Sequence, residues 1–370
     1  MRRRLLGLAA VAAVAAAGLA VVPPANAATA ERPELLEPTG QHRVGRTDLH
    51  LVDEGRADPW MPDQDRELMV SLYYPARKNS GKPTEYMTYD ESKGYLEQEE
   101  LDLPPETLNT VKTYAYQDAK PLPGKKRPLV LLSPGWTKPR ATLTGIAEEL
   151  ASKGYIVAVM GHNYESVTQF PDGTLTKCEA CGRNELDKAS QGRAKDASFV
   201  IDELTDRRGP WRGSQWIDAD RIAMSGHSLG GGASYEALRD EKRIKAVASL
   251  DSRIYEPGAF AVDRPLLLLG SAKRTSEHPD DPWHQAWDNA SGWKRWISVD
   301  GTAHSSFTDV GLLGPQVGVT DPEQTLEPER CTELTRDVVS AFFDKHLKGK
   351  NRPILDGPTD DYPELKFRNP

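Results

Sequence analysis

Gly226-His227-Ser228-Leu229-Gly230 is the segment with the most chemical content. It fits G-x-S-x-G, a turn that presents a serine hydroxyl. Such a hydroxyl is a weak nucleophile until a base takes its proton and a carboxylate orients that base. Gly226 and Gly230 leave room where any Cβ would collide, so the turn can lift Ser228 into a strained backbone conformation above a sheet. Gly231 and Gly232 extend the small-residue patch. The bare pattern arises by chance; a strand before it and a helix after it give it meaning. Arg221 to Ser225 reads as a strand and Leu229 to Asp240 as a helix.

In a strand–elbow–helix context the chain order is serine, acid, histidine. Four histidines lie downstream. His346 falls on a closing helix and is expected to be solvated, His284 falls in a helix over Pro282 to Ala290, and His278 sits in a polar loop. His304, in Gly301-Thr302-Ala303-His304-Ser305-Ser306, follows the last apolar strand on a small-residue loop from which an imidazole can reach the elbow. A histidine base predicts that kcat/KM rises on one ascending limb between roughly pH 5 and 8. The candidate acid is Asp251, directly after the strand Ile244 to Leu250. The commoner position lies one strand later, but Gly270-Ser271-Ala272-Lys273-Arg274 holds no carboxylate, and Glu277, Asp280 and Asp281 come late. Two backbone N–H groups must face the developing oxyanion. The candidates are Leu229, next to the nucleophile, and Trp136 in Ser133-Pro134-Gly135-Trp136; Pro134 has no N–H to give.

These residues need a frame. Asp48 to Val52 and Glu67 to Tyr74 read as early strands. Residues 77–127 form a polar, Pro-rich excursion with one short helix near Glu91 to Leu101. Strands at Pro128 to Leu132, Tyr155 to Met160, Arg221 to Ser225, Ile244 to Leu250, Pro265 to Leu269 and Trp293 to Val299 then alternate with helices. Those helices are read at Arg140 to Ser152, Glu185 to Arg208, Leu229 to Asp240 and Glu329 to Lys348. The alternation predicts an α/β fold, a mostly parallel central sheet with helices on both faces. The tryptophans Trp211, Trp216, Trp283, Trp287, Trp293 and Trp296 are either core or anchors at an interface.

Arg2 to Arg4, the apolar run Leu5 to Val22 and Ala25-Asn26-Ala27 have the order of a secretory signal peptide over 1–27. An uncleaved anchor is the alternative. Cleavage removes three arginines and no acid, taking the formal charge from −8 to −11. A flexible leader over 28–40, a catalytic domain over 41–350 and a tail over 351–370 complete the organisation. With 38% apolar and 28% charged residues, the composition is that of an ordinary globular chain. The acidic balance argues against a nucleic-acid partner. In an exported chain Cys178-x-x-Cys181 reads as a structural disulfide in a loop rather than a redox pair or a zinc site, with Cys331 distant.

Ser133-Pro134-Gly135-Trp136, the G-H-S-L-G-G-G elbow, Ser249-Leu250-Asp251-Ser252 and Gly301 to Asp309 together resemble one family. It is that of the group VII phospholipases A2, the plasma-type platelet-activating-factor acetylhydrolases and their bacterial relatives. The resemblance runs from about residue 41 to 348. Its most specific parts are His304-Ser305-Ser306-Phe307-Thr308-Asp309 and an acid right after the strand following the elbow. It implies an α/β-hydrolase fold, a Ser228–Asp251–His304 triad, and neither metal nor cofactor. It further implies short or oxidised acyl chains, on phospholipids, as substrates, with peripheral contact to a lipid surface. The chain departs from the family at the oxyanion loop, where Pro134-Gly135 replaces the usual His-Gly. A cutinase-like, polyester-cleaving enzyme has a similar elbow but takes its acid from the later strand. A catalytically silent binding protein on the same scaffold is the reading from another class.

Overall fold

Short apolar runs between helical segments assemble one eleven-stranded sheet in the computed structural model, which describes residues 20–21, 32–78, 80–256, 258–275 and 281–368. The segment read as a signal peptide lies outside these residues except for Ala20–Val21, which pairs antiparallel with Val319–Thr320. Glu277, His278 and Asp280 also lie outside them.

In chain order the strands are β1 (Val44–Ala57), β2 (Asp65–Pro75), β3 (Lys82–Pro83), β4 (Ala115–Gln117), β5 (Arg127–Ser133), β6 (Ile156–His162), β7 (Ile217–His227), β8 (Ile244–Leu250), β9 (Leu266–Ser271), β10 (Lys294–Val299) and β11 (Leu365–Phe367). Their spatial order is β11-β10-β9-β8-β7-β5-β6-β2-β1-β4-β3. The run from β10 to β6 is parallel throughout. The β2 strand enters antiparallel to both β6 and β1. Side chains alternate across the sheet: Leu129 and Leu131 of β5 join one core and Val130 and Leu132 the other. The first core is covered by α3 (Leu186–Thr205), α4 (Leu229–Ala237) and α5 (Pro282–Asn289), the second by α2 (Thr144–Ser152) and α7 (Pro328–Lys348), with α6 (Asp309–Gln316) packed against α7. Both faces of the sheet are therefore dry, as the continuous apolar strands require.

Several expectations are corrected. The excursion over 77–127 holds the helix α1 (Tyr89–Gln98), but it also adds β3 and β4 to the sheet; strands of two and three residues carry no readable period. The helix read over 140–152 begins as a 3₁₀ turn, Arg140–Leu143, behind Pro139. The end of α4 tightens early, because Leu238 and Arg239 donate three residues back, to Tyr235 and Glu236. The leader is tied down over its described part. Leu35 is buried and its N–H reaches Lys112 O at 3.1 Å, while Thr39 bonds Glu149 of α2. The tail ends in β11, antiparallel to β10. His346 is not solvated: its ring lies 4.6 Å from that of Trp293 and 4.9 Å from that of Phe342, and burial pushes its pKa down to about 4. Trp211, Trp283, Trp287 and Trp296 are core, and Trp216 and Trp293 are partly buried against it. Cys178 and Cys181 are disulfide-bonded, and Cys331 is free and buried on α7.

Candidate active site

The candidate residues all sit where parallel strands end at their carboxyl side, the edge where open α/β sheets gather ligands. Ser228 follows β7, Asp251 follows β8, His304 lies beyond β10, and Gly135-Trp136 lie beyond β5. Register brings the ends level: Gly226 pairs with both Ser133 and Ser249, and His227 with Leu250. The Ser228 N–H donates to Leu250 O at 2.9 Å, and the Asp251 N–H to Leu269 O at 2.7 Å. Each residue is thus bonded to the next strand across.

The elbow is strained as its sequence requires. Ser228 has φ 54° and ψ −120° at the start of α4. A Cβ at Gly226 would lie 2.4 Å from Gly230 C, and one at Gly230 2.0 Å from Ser133 O, so neither site accepts a side chain. Asp251 (φ 40°) and Thr137 (φ 64°) share the unusual left-handed backbone. For a β-branched residue this is a marked outlier. Such strain persists only where surrounding contacts over-determine it.

His304 Nδ1 meets Asp251 Oδ2 at 2.6 Å, and Ser271 N donates to the other oxygen, Oδ1, at 2.8 Å. Arg274 stands 3.6 Å from the same carboxylate. Burial alone would raise the pKa of Asp251, but the His304 contact and the Arg274 charge pull it below the usual carboxylate value. An ionised acceptor at Nδ1 selects the Nδ1–H tautomer and leaves the Nε2 lone pair free to take a proton. The imidazole is about half exposed and the acid almost completely buried, at 52% and 5% of their side chains. His304 therefore faces solvent and Asp251 stays behind it. Ser228 Oγ has no hydrogen bond to His304 among the described residues; such bonds commonly tighten only with substrate present.

The oxyanion candidates also converge. A Cβ at Gly135 would lie 3.6 Å from Ser228 Cβ, which places the β5 loop directly beside Ser228. Neither the Leu229 nor the Trp136 N–H donates to a protein acceptor among the described residues. Beside these amides, Trp60, Leu229, Trp136, Tyr164 and Tyr255 pack into an aromatic cluster with the disulfide loop.

Three contributors had no sequence signal. His227 donates Nε2–H to His304 O at 2.7 Å, and its ring lies 4.5 Å from that of His304, tilted by 44°. Burial, with the neighbouring His304, pushes its pKa down to about 3, so it is neutral throughout the range in which a histidine base titrates. Ser271 and Arg274 belong to a segment without a carboxylate, yet they hold Asp251. Asp281 instead caps α5 and pairs with Arg274 at 2.9 Å. His284 packs on Trp296. Among the described residues no group of three His, Cys, Asp or Glu is placed to hold a metal ion.

Asp309 closes the H-x-S-F-T-D element and explains its last position. Both of its oxygens accept from Gly145 N in the first turn of α2, each at 3.1 Å, tying the His304 loop to the second core. Burial pushes its pKa up to about 7, against the pull of the Gly145 bond and Arg336 and with Glu148 adding to the rise. Its ordinary value is 3.8, so the folded protein holds this proton more tightly than the unfolded chain. The stability it contributes is complete below that value and is lost as pH rises through about 7. Asp309→Asn should therefore gain in Tm relative to wild type by a few °C, on the order of 2–6 °C, between pH 5 and pH 8. A Tm difference that stays constant over that range would show Asp309 already ionised.

Fold and chemistry together define an α/β-hydrolase-fold esterase. The family model for platelet-activating factor acetylhydrolase, isoform II, matches residues 27–173 and 212–355, and the chain belongs to that family. A protein of Arthroderma benhamiae described as a probable 1-alkyl-2-acetylglycerophosphocholine esterase is 26% identical, over 90% of this chain and 93% of its own. The platelet-activating factor acetylhydrolase of Gallus gallus is 24% identical, over 84% and 83%. A solved structure of a ferulic acid esterase from Streptomyces cinnamoneus superimposes with a TM-score of 0.82 at 38% identity, covering 91% of this chain and 99% of that one.

Proposed function

We propose that the protein is an exported carboxylic-ester hydrolase working through Ser228, His304 and Asp251. The 2.6 Å contact of His304 Nδ1 with the buried Asp251, set beside the strained Ser228, carries this reading. His304 Nε2 takes the hydroxyl proton as Ser228 Oγ attacks the ester carbonyl. The Leu229 and Trp136 amides receive the oxyanion. The proton passes to the departing alcohol, and water, activated by the same imidazole, then releases the acid. Export rests on the order of residues 1–27, and secreted protein beginning at Ala28 would support it.

For the acyl group we infer short or oxidised chains, on phospholipids, with transient contact to a lipid surface; the named activities of the fungal and avian relatives favour this. A second reading, aromatic acyl esters, is favoured by the Trp60–Trp136–Tyr164–Tyr255 cluster beside Leu229 and by the name of the Streptomyces neighbour. The deciding measurement is kcat/KM for a short-acyl phosphocholine, methyl hydroxycinnamates, p-nitrophenyl esters of rising chain length and a polyester film. A preference of ten-fold or more for the phosphocholine is the result expected from the first reading, and the reverse preference favours the second. Failure of a fluorophosphonate to label the protein would sink both and leave a binding protein.

A further inference from the structure

We propose that Arg193 is the positioning residue of the oxyanion loop: from inside the fold it grips the carbonyls of Pro134 and Gly135 and so turns the Trp136 N–H toward Ser228. The inference rests on the proposed role of Trp136. Arg193 lies on α3 with its side chain about 1% exposed, and no step of the mechanism uses it directly. Its Nη1 donates to Pro134 O at 2.5 Å and to Ser133 Oγ at 3.4 Å, and its Nη2 to Gly135 O at 3.4 Å. In a trans peptide the C=O and the following N–H point in opposite directions. Drawing the Gly135 carbonyl down toward α3 therefore sends the Trp136 N–H up, away from the core and onto the side where Ser228 stands. The loop is gripped in addition to its own turn bond, Lys138 N to Gly135 O at 3.2 Å. Its next residue, Thr137, is left-handed, with its carbonyl held by Gln98 Nε2 at 2.8 Å and Ser166 Oγ at 2.9 Å.

The guanidinium is itself held on every side. Arg193 Nε donates to Glu165 Oε2 at 2.7 Å, and the other oxygen of Glu165 accepts from the Trp60 indole at 3.1 Å. One turn along α3, Asp196 takes two bonds from Arg66, at 3.1 and 2.6 Å, and one from His162 Nδ1 at 2.8 Å. His162 Nε2 in turn meets Ser133 Oγ at 2.9 Å. The carboxylates Asp58, Glu165 and Asp196 face the guanidiniums Arg56, Arg66 and Arg193. A buried ionic network of this kind is rigid only while every member is satisfied. Glu165 thereby joins the oxyanion loop to the aromatic wall at Trp60. A lysine at 193 could keep the charge beside Glu165, but a point-like ammonium cannot span Glu165 and two carbonyls as a planar fork does.

The test compares wild type with Arg193→Lys, both titrated by fluorophosphonate so that rates are expressed per competent Ser228. For p-nitrophenyl acetate we expect kcat to fall about 10- to 100-fold with KM within roughly two-fold, somewhat less than the loss of a whole oxyanion donor. Affinity for a trifluoromethyl ketone, whose adduct places its oxyanion between the two amides, should fall by the same factor. A per-site kcat within two-fold of wild type, or a drop in kcat with unchanged ketone affinity, would overturn the proposal, because a residue that merely holds the fold lowers the titrated fraction and not the rate per site. Activity persisting in Ser228→Ala would instead remove the reading on which it rests.

Discussion

Ser228→Ala should lose nearly all esterase activity, with kcat/KM lower by on the order of 10⁴ or more, while the fold persists. The magnitude follows from what the hydroxyl does. The attack, the proton transfer to His304 and the acyl-enzyme all need Oγ, and residues that act as one unit fail together when any of them is removed. The fold should survive because alanine meets the same positive φ that Ser228 already accepts, and the backbone bonds from Ser228 N to Leu250 O and from Gly231 N to Ser228 O are kept. The check is steady-state turnover alongside circular dichroism and Tm. Turnover near wild type with an unchanged spectrum would remove the nucleophile from the mechanism.

Asp251→Asn should cost on the order of 10²–10⁴ in kcat with little change in Tm, the scale of the serine-protease acid-to-amide exchange. The two oxygens of Asp251 have different tasks. Oδ1 accepts from Ser271 N at 2.8 Å and Oδ2 accepts from His304 Nδ1 at 2.6 Å. An asparagine that keeps its oxygen on Ser271 must turn its NH₂ toward His304. The imidazole then presents a lone pair at Nδ1 and its proton at Nε2, where it cannot take one from Ser228. Asp281→Asn, at the cap of α5, should stay within several-fold of wild type. A near-normal Asp251→Asn beside a crippled Asp281→Asn would move the acid to the loop after β9, the cutinase-like arrangement.

The elbow was legible because its glycines, its flanking strand and its flanking helix all pointed to one geometry. His304 and Asp251 were legible because strand ends can be found from apolar runs, and α/β chain order does the rest. Ile244–Leu250 appears in the structure with the bounds that its apolar run suggests. The supports were not legible. Arg193, Glu165, His162 and Asp196 are ionisable residues in a stretch whose ends lie 34 positions apart, and their hydrogen bonds to one another and to the β5 loop exist only after β6 and α3 have packed. Nothing in a charged residue's type or spacing announces that it will be buried. The strands β3, β4 and β11 were missed for a different reason: with two or three residues, pairing with a neighbour decides their state and local pattern does not. His346 reversed its expected exposure because Trp293, just before β10, packs against its ring.

The backbone bonds from Ser228 to Leu250 and from Asp251 to Leu269 divide the site into parts of unequal mobility. Serine and acid belong to the sheet's own ladder, so their separation can change only when strands part, an opening that costs nearly as much as global unfolding. The imidazole rides on a 3₁₀ turn, about half open to solvent. Adjustment to esters of different shape therefore falls to one member of the three. Two coordinates of the reaction are inherited from the scaffold, and the third can respond to what is bound.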